Sequence, residues 1–533
     1  MKKNMKHAIT YDIGTTGVKT CLFEIDDEVR LIDGAMAGYK LYVMPDGGAE
    51  QDPDEWWDAM CKTTKEVMEK NNVDPSQIDG ISFCSQMQGL VLVDKNGRHV
   101  RRAMSYMDQR ARKELKEGMA YGLQIAGANV MKLIPSILIT GAVSSSVKDP
   151  IWKYNWVKNN EPENFKKVYK WFDVKEALIC RMTDKFVMTQ DSAFGTLLYD
   201  VKKQAWSPKM CKMCGIDINH MPEIIKSTDV VGGLTEKAAG ELGLKAGTPV
   251  FGGGGDASLI GVGAGASAMG KTHVYMGTSG WVSTVVPAKI IVDTSAMIAA
   301  IVGASSTSSN YFAELETAGK CVEWVKDHLA LDEIGIYLEK HHVAEDPESV
   351  YTSLYTYLQD VIKQVPAGSN GVIFTPWFHG NRCPFEDPNA RATFFNMNLE
   401  TGKSDLIRAV VEGVCYHMRW FIEAQDKKVK TSDVVRFVGG GALGEATCQI
   451  LADCTGKTVE TVPSPQNVGA VGAAVVVAAG LGVIKDVDEA EKLVKVDKVY
   501  KPNKENKAVY DKGYEVYKQI YSSNKKNFAM LNG

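Results

Sequence analysis

The stretch YDIGTTGVKT, residues 11–20, reads as a strand, a polar turn and a second strand. HAITYDI leading into the turn is apolar and β-branched, and VKTCLFEI leaving it is extended again. A second stretch, YMGTSGWVST at residues 275–284, follows the same plan, with Gly14-Thr15-Thr16-Gly17 matching Gly277-Thr278-Ser279-Gly280. Each copy opens a predicted hairpin, and each begins one half of the chain. The echo predicts two related domains facing each other, each offering one hydroxyl-lined turn.

Around these turns the pattern is α/β. A helix is predicted to start at EQDPDEWWDAM, with Asp52 as N-cap, Pro53 at N1 and Glu55 at N3 completing a capping box. IDGISFCSQ reads as a strand running into the loop MQG, and LVLVD as the next strand. Strands alternating with helices in this way indicate an α/β architecture. From about residue 155 to 245 the pattern is mostly helical, and PVFGGGGDAS then restores a strand signal. The predicted domain boundary lies near Gly247, dividing 1–247 from 248–533. The tail from Tyr500 reads as a solvated surface helix, because its acids interleave with its bases.

The chain of 533 residues is too long for one core. Lys+Arg 61 against Asp+Glu 65 gives a net charge of −4, so no electrostatic case exists for nucleic acid or an anionic membrane as partner. Eleven scattered cysteines suit reduced thiols in a cytoplasmic protein. Cys211 and Cys214 form one C-x-x-C, but a zinc site wants a second pair and none follows. MKKNMKHAIT reaches Asp12 before an apolar signal region can form, so no targeting segment is expected. VGAVGAAVVVAAGLGVI, residues 468–484, is uncharged but too short to span a bilayer, and is predicted to be a close-packed buried helix.

Several motifs carry chemistry. In DIGTTGVK, Gly14 and Gly17 let the backbone approach an anion, Thr15 and Thr16 add hydroxyl donors, Lys19 adds a charge, and Asp12 at a strand end suits Mg²⁺. The bland alternative is a hairpin with a polar turn; the second copy favours phosphate. GGGGDAS puts Asp256 after four glycines at a helix start, where it could take a proton from a substrate hydroxyl or simply cap the helix. Four glycines exceed what a cap needs, which favours catalysis. GASAMGKT, residues 265–272, fits the P-loop spacing, but a helix-like run precedes it and a strand follows, the inverse of a working P-loop. GGGALG, residues 439–444, follows the strand DVVRFV and precedes a helix, with Glu460 about 20 residues on. It fits either a dinucleotide fingerprint or an adenine nucleotide against a helix N-terminus, and the remote phosphate-type turns favour the second. His341 and His342 fall in a charged helical stretch and are read as solvated.

Taken together, DIGTTGVK, EQDP at 50–53, SQMQG at 85–89, YMDQR at 106–110, KYNW at 153–156, GGGGDA at 252–257, GTSG at 277–280 and GGGALGEATCQILAD at 439–453 resemble the FGGY carbohydrate kinases, xylulokinase-type members above all, across essentially the whole chain. The resemblance implies two actin-like, ribonuclease-H-like domains flanking a catalytic cleft, with sugar mainly on the first and ATP on the second. It also implies ATP and Mg²⁺ as co-substrate and cofactor, D-xylulose as the leading sugar, and a homodimer as the usual state. Carried over by position, Asp256 matches the general base. Thr15, Thr16, Gly17 and Lys19 match the first phosphate turn, with Asp12 toward the metal, and Thr278 matches the second. Gly319, Glu323, Gly440, Gly441 and Glu445 match nucleotide positions. Met87 and Gln88 match a sugar-contacting Met-His pair, and Tyr106 an aromatic wall that is usually Trp. Gln88, Tyr106 and Ala257 depart from the family pattern on the sugar side, and Arg391, Ala392 and Asn396 where Gly-rich text is usual. L-xylulose, ribulose, gluconate and other polyols stay open as substrates, and a non-catalytic actin-like binding protein is the alternative of a different class.

Overall fold

The computed structural model describes residues 5–125, 127–329, 339–340 and 347–533; His341 and His342 lie outside the described residues. Strands β1 (Lys6–Ile13) and β2 (Gly17–Ile25) pair antiparallel around the first turn, which sets Asp12 opposite Lys19. β3 (Val29–Gly38) extends the ribbon. Helix α1 (Pro53–Lys70) starts where expected, and the Asp52 side chain accepts from the Asp54 N–H at 3.0 Å. The capping box does not form. Glu55 instead accepts from the Lys40 N–H at 2.9 Å and from the Tyr42 hydroxyl, because the chain leaving β3 passes close enough to compete for its carboxylate.

β4 (Ile78–Ser85) runs parallel to β1 and sets Cys84 beside Asp12. The segment expected to be mostly helical is mixed: α2 (Pro150–Asn160), α3 (Val174–Thr183) and α4 (Gln190–Gly195) alternate with strands of two or three residues. β5 (Val230–Gly233), β6 (Pro249–Phe251) and β7 (Gly254–Gly255) complete the first sheet, in the order β5-β6-β4-β1-β2-β3 with β7 also on β4. β6 and β7, which follow the division expected at Gly247, pair within this first sheet.

Helix α5 (Asp256–Gly263) leaves β7 directly. The second sheet contains β8 (Thr272–Met276), β9 (Gly280–Pro287), β10 (Ile298–Val302), β11 (Ser308–Leu315), β12 (Val434–Val438) and β13 (Thr458–Glu460), in the order β10-β11-β9-β8-β12-β13. The two sheets repeat one plan. β3-β2-β1-β4-β6 and β11-β9-β8-β12-β13 each read antiparallel, antiparallel, parallel, parallel. The duplication expected from the twin turns is thus a duplication of whole domains. GASAMGKT lies between α5 and β8, the inverted context that excludes a P-loop.

The second half of the chain also supplies helices α6 (Lys403–Asp426), α7 (Glu445–Thr455), α8 (Val468–Gly480) and α9 (Lys507–Asn532). α8 is the uncharged run, buried as expected, and it packs on α5 and on β1 and β4 of the first sheet. The contact with α5 is backbone to backbone: a Cβ on Gly263 would lie 1.9 Å from the Val468 carbonyl oxygen. Among the described residues no helix is long and apolar enough to cross a membrane.

The tail corrects an expectation. α9 is not a solvated helix; it buries Tyr510, Tyr514, Tyr517, Ile520 and Phe528. The three tyrosines fall on one face at helical spacing, and the interleaved Lys and Glu residues mask that stripe when charge alone is read. Each hydroxyl has a partner: Tyr510 donates to Glu412 at 2.9 Å, Tyr514 donates to Glu423 at 2.8 Å, and Tyr517 bonds His417 Nδ1 at 2.7 Å.

Candidate active site

The first cluster sits at the carboxyl ends of β1, β4 and β7, where open α/β sheets present ligand-binding groups. β4 lies between the other two and pairs Cys84 with both Asp12 and Gly254. Asp256 is the first residue of α5, with Gly255 in the N-cap position; it is not the cap. Its Oδ1 accepts the Ala257 N–H at 2.7 Å. Burial pushes the carboxyl up to about 7, with smaller contributions from Asp12, Glu314 and Asp173. A buried carboxyl that titrates near neutrality has the chemistry of a general base.

Met87 and Gln88 flank that position. A Cβ on Gly255 would lie 2.2 Å from Met87 Cγ, so the Met87 side chain lies against the residue before Asp256, and both side chains reach Gly195. Their loop is held from below. Asp173 accepts the Gln88 and Gly89 N–H groups at 2.8 Å each, and Lys153 donates to the Gln88 and Ser105 carbonyls at 2.7 and 3.0 Å. Gln88 takes a left-handed φ of 61° there. Burial lowers the Lys153 ammonium to about 8. The Tyr106 hydroxyl lies 3.4 Å from Thr15 Oγ1, so the aromatic wall and the first turn meet.

The first turn is shaped by side chains from outside it. Tyr39 donates to the Gly14 and Gly17 carbonyls, Gln86 to the Gly14 carbonyl at 3.0 Å, and Gln51 to the Thr15 carbonyl at 2.7 Å. With its carbonyls engaged, the turn leaves Thr16 exposed. Burial raises the Asp12 carboxyl, against the opposing pull of Lys19. Its Oδ2 lies against the start of α8, 2.9 Å from where a Cβ of Gly469 would stand. A desolvated carboxylate at such a point fits a cation. Lys19 is engaged elsewhere, donating to Asn467 Oδ1 at 2.5 Å, and so ties the first turn to the approach of α8.

The second cluster gathers at the end of β8. The Gly277 carbonyl accepts the Gly319 N–H at 2.7 Å, and the Thr278 carbonyl accepts from Ala318 and Lys320 at 3.2 Å each, while Thr278 itself is exposed. A Cβ on Gly441 would lie 2.6 Å from Met276 Sδ. The turn at 277–280, the start of helix 319–324 and the Gly440–Gly441 loop therefore converge. Glu323 is exposed on that helix, and Glu445 pairs with Lys498 at 2.8 Å near the surface. The helix N-terminus expected to receive a nucleotide is already satisfied: Gln359 Oε1 accepts the Ala446 and Thr447 N–H groups at 2.6 and 3.3 Å. Glu460, the acid a dinucleotide reading needs, pairs with Arg436 at 2.9 Å. The second sheet touches the first cluster through β11, whose Asn310 donates to the Ala257 carbonyl at 3.5 Å.

Residues 7–263 match the N-terminal domain, and residues 273–481 the C-terminal domain, of the FGGY family of carbohydrate kinases. The chain belongs to this family. It is 28% identical over 523 residues to a xylulose kinase of Bacillus subtilis, covering 98% of each chain. It is 26% identical over 510 residues to a gluconokinase of Bacillus licheniformis, covering 94% of this chain and 93% of that one. The ligand-bound xylulose kinase structure from Lactobacillus acidophilus superposes with a TM-score of 0.82 at 25% identity, covering 99% of this chain and all of that one. As an FGGY kinase the protein transfers a phosphoryl group from ATP to an alcohol of a carbohydrate, and the dinucleotide-fingerprint and non-catalytic readings fall away.

Sequence reasoning passed over several groups that support these clusters. Asp191, fully buried, accepts the Gly255 N–H at 2.7 Å and the Thr189 hydroxyl at 2.5 Å. Lys175 continues the chain, donating to Thr189 at 2.7 Å and Ser192 at 2.5 Å. Asp173 and Lys153 hold the Met87–Gln88 loop. Lys153 lies inside KYNW, Gln51 inside EQDP and Gln86 inside SQMQG, and those motifs were the available signal; Asp191 and Asp173 had none. Cys211 and Cys214 are buried free thiols, and His220 bonds Tyr154 at 2.8 Å.

Proposed function

We propose that this FGGY kinase phosphorylates the terminal hydroxyl of a ketopentose, D-xylulose foremost. Asp256 takes the hydroxyl proton as the sugar oxygen attacks the γ-phosphorus in line, and the β,γ-bridging oxygen leaves with ADP. The observation that carries the reading is the Asp256 carboxyl, held near neutrality beside the Met87–Gln88 loop. Met87, Gln88 and Tyr106 bind the sugar. Thr15, Thr16 and Gly17 in one turn and Thr278 in the other hold the transferring group from opposite lobes. Gly319, Glu323, Gly440, Gly441 and Glu445 form the nucleotide side. Asp12 would hold the nucleotide's Mg²⁺, which would supply neutralisation of phosphate charge. Lys19 enters this scheme as a tie to Asn467 that orients the first turn.

The choice of a neutral ketose over an aldonate rests on charge. Met87, Gln88 and Tyr106 are uncharged, and Lys153 beneath their loop is committed to two carbonyls. A coupled ADP-release assay over D-xylulose, L-xylulose, D-ribulose, gluconate and glycerol tests this. D-Xylulose is expected to give the highest kcat/KM, and a clear preference for gluconate rejects the assignment.

A further inference from the structure

Beside α5 lies a cavity of about 10 Å³, room for one water-sized occupant. Ser258, Ser267, Ser308, Asn310 and Asp488 line it. They come from α5 and the residues after it, from β11, and from the 3-10 turn Val487–Lys492, which packs on α5. The lining is rich in acceptors. Ser267 donates to the Val487 carbonyl at 2.6 Å and Ser308 to Asp488 Oδ1 at 3.4 Å, so both hydroxyl protons are committed and lone pairs remain. Asn310 donates through Nδ2 to the Ala257 carbonyl, which leaves its Oδ1 to accept. Ser258 supplies the telling atom. It is 3% exposed, and its Oγ has no hydrogen-bond partner in the protein. A buried hydroxyl in that state calls for an ion or a water.

We propose that this cavity binds a monovalent alkali cation, which braces the start of α5 against β11 and the turn at 487–492. Charge argues for the occupant. Asp488 has no ion pair among the described residues, and Lys492 on the same turn is taken by Glu489 at 2.7 Å. Its Oδ2 accepts from Ser305 and Thr307 at 3.0 Å each, whereas its Oδ1 carries the long Ser308 contact and has a lone pair to spare. Residues 485–492 hold four acids against two lysines, which adds to the negative field. A water needs donors for its own lone pairs, and of the hydroxyls lining the cavity Ser258 alone keeps a proton to give; a cation needs acceptors only. One carboxylate among neutral oxygens balances a single positive charge, whereas divalent calcium is usually met by several carboxylates.

The place of the cavity gives the ion a task. Ser258 stands two residues beyond Asp256 in the first turn of α5, and Asn310 bonds the carbonyl of the residue between them. A cation drawn to Ser258, Asn310 and Asp488 together would hold that first turn, and with it the Asp256 backbone, at a fixed distance from the second sheet. The task is the same whichever sugar is phosphorylated.

Thermal melting of the full chain tests the proposal, without Mg²⁺ or nucleotide, as KCl or NaCl replaces tetramethylammonium chloride at constant ionic strength. Tetramethylammonium is too large for the cavity and serves as the blank. The melting temperature is expected to rise by about 2–5 °C and to saturate with K⁺, with Na⁺ or with both, as linkage to a single site requires. Turnover with saturating Mg-ATP and sugar is expected to rise about threefold or more with the same half-saturation. Ser258→Ala, which removes one oxygen and no charge, and Asp488→Asn are each expected to melt in tetramethylammonium within a few degrees of the parent and to lose the cation response. Equal melting and turnover in all three salts would mean that water fills the cavity, and overturns the proposal. So does a response that never saturates, or one that both variants keep in full.

Discussion

The Asp191 carboxylate accepts the backbone N–H of Gly255 at 2.7 Å, and so fixes the residue immediately before Asp256. Asp191 touches neither sugar nor nucleotide in the proposed scheme, so it acts by positioning. Asp191→Asn is expected to lower kcat by about 10- to 100-fold, roughly 1.4–2.7 kcal/mol, with the KM for ATP unchanged. The plateau of the pH–rate profile should also shift, because the alignment of the base changes. Steady-state kinetics across pH provide the check; a loss of stability with kinetics intact rejects the positioning role.

Asp256→Asn should fold and bind nucleotide yet lose kinase activity by several orders of magnitude. In the unmodified enzyme kcat/KM should rise with pH and level off above about 7, as the base deprotonates. Stability carries the opposite sign. The carboxyl titrates near 7 in the fold and near its ordinary 3.8 when unfolded. Between those values the folded chain keeps a proton the unfolded chain has lost, so this group's contribution falls as pH rises through that window. The melting temperature of the Asn variant should therefore gain on the parent between pH 5 and pH 8.

Gly319→Ala puts a Cβ 2.2 Å from the Gly277 carbonyl oxygen, which is backbone and has little room to give. The second turn must shift. The KM for ATP is expected to rise about tenfold or more, a loss of roughly 1.4 kcal/mol of binding, while the KM for sugar stays put. Equal changes in both constants refute the separation of the two subsites.

Glu412→Gln strikes stability without touching chemistry. Glu412 is buried and accepts from Arg408 at 2.7 Å, Ser369 at 2.7 Å and Tyr510 at 2.9 Å. Removing its charge leaves the Arg408 guanidinium buried without its partner, at a cost of about 3–5 kcal/mol. Urea unfolding should register that loss while both KM values hold.

The parts legible in the chain are those whose chemistry is local. The twin turns announce themselves because a polar Gly-Thr turn between β-branched strands has few other uses, and the four glycines before Asp256 exceed the needs of a cap. What escaped depends on distance along the chain. Asp191 and Gly255 are 64 residues apart and meet only because α4 lies against β7. The tyrosine stripe of α9 was hidden by charges on its other faces, and Glu55 was drawn from its capping box by a neighbour 15 residues away. Helix 130–140 gave an apolar signal like that of any buried helix yet turns Met131, Ile134 and Leu138 to solvent, since periodicity cannot say which face looks outward.

The contact between Gly263 and Val468 bears on how such proteins can be recombined. α8 is encoded within the second half of the chain yet lies on β1 and β4 of the first sheet, its start against Asp12. A gene fusion that exchanged everything beyond residue 263 between two relatives would import a foreign α8 onto a native sheet. A fragment ending there would leave that face of the sheet bare to water. The two halves echo one ancestor in outline, but neither is a transferable module, and productive crossovers should carry α8 together with the first 263 residues it completes.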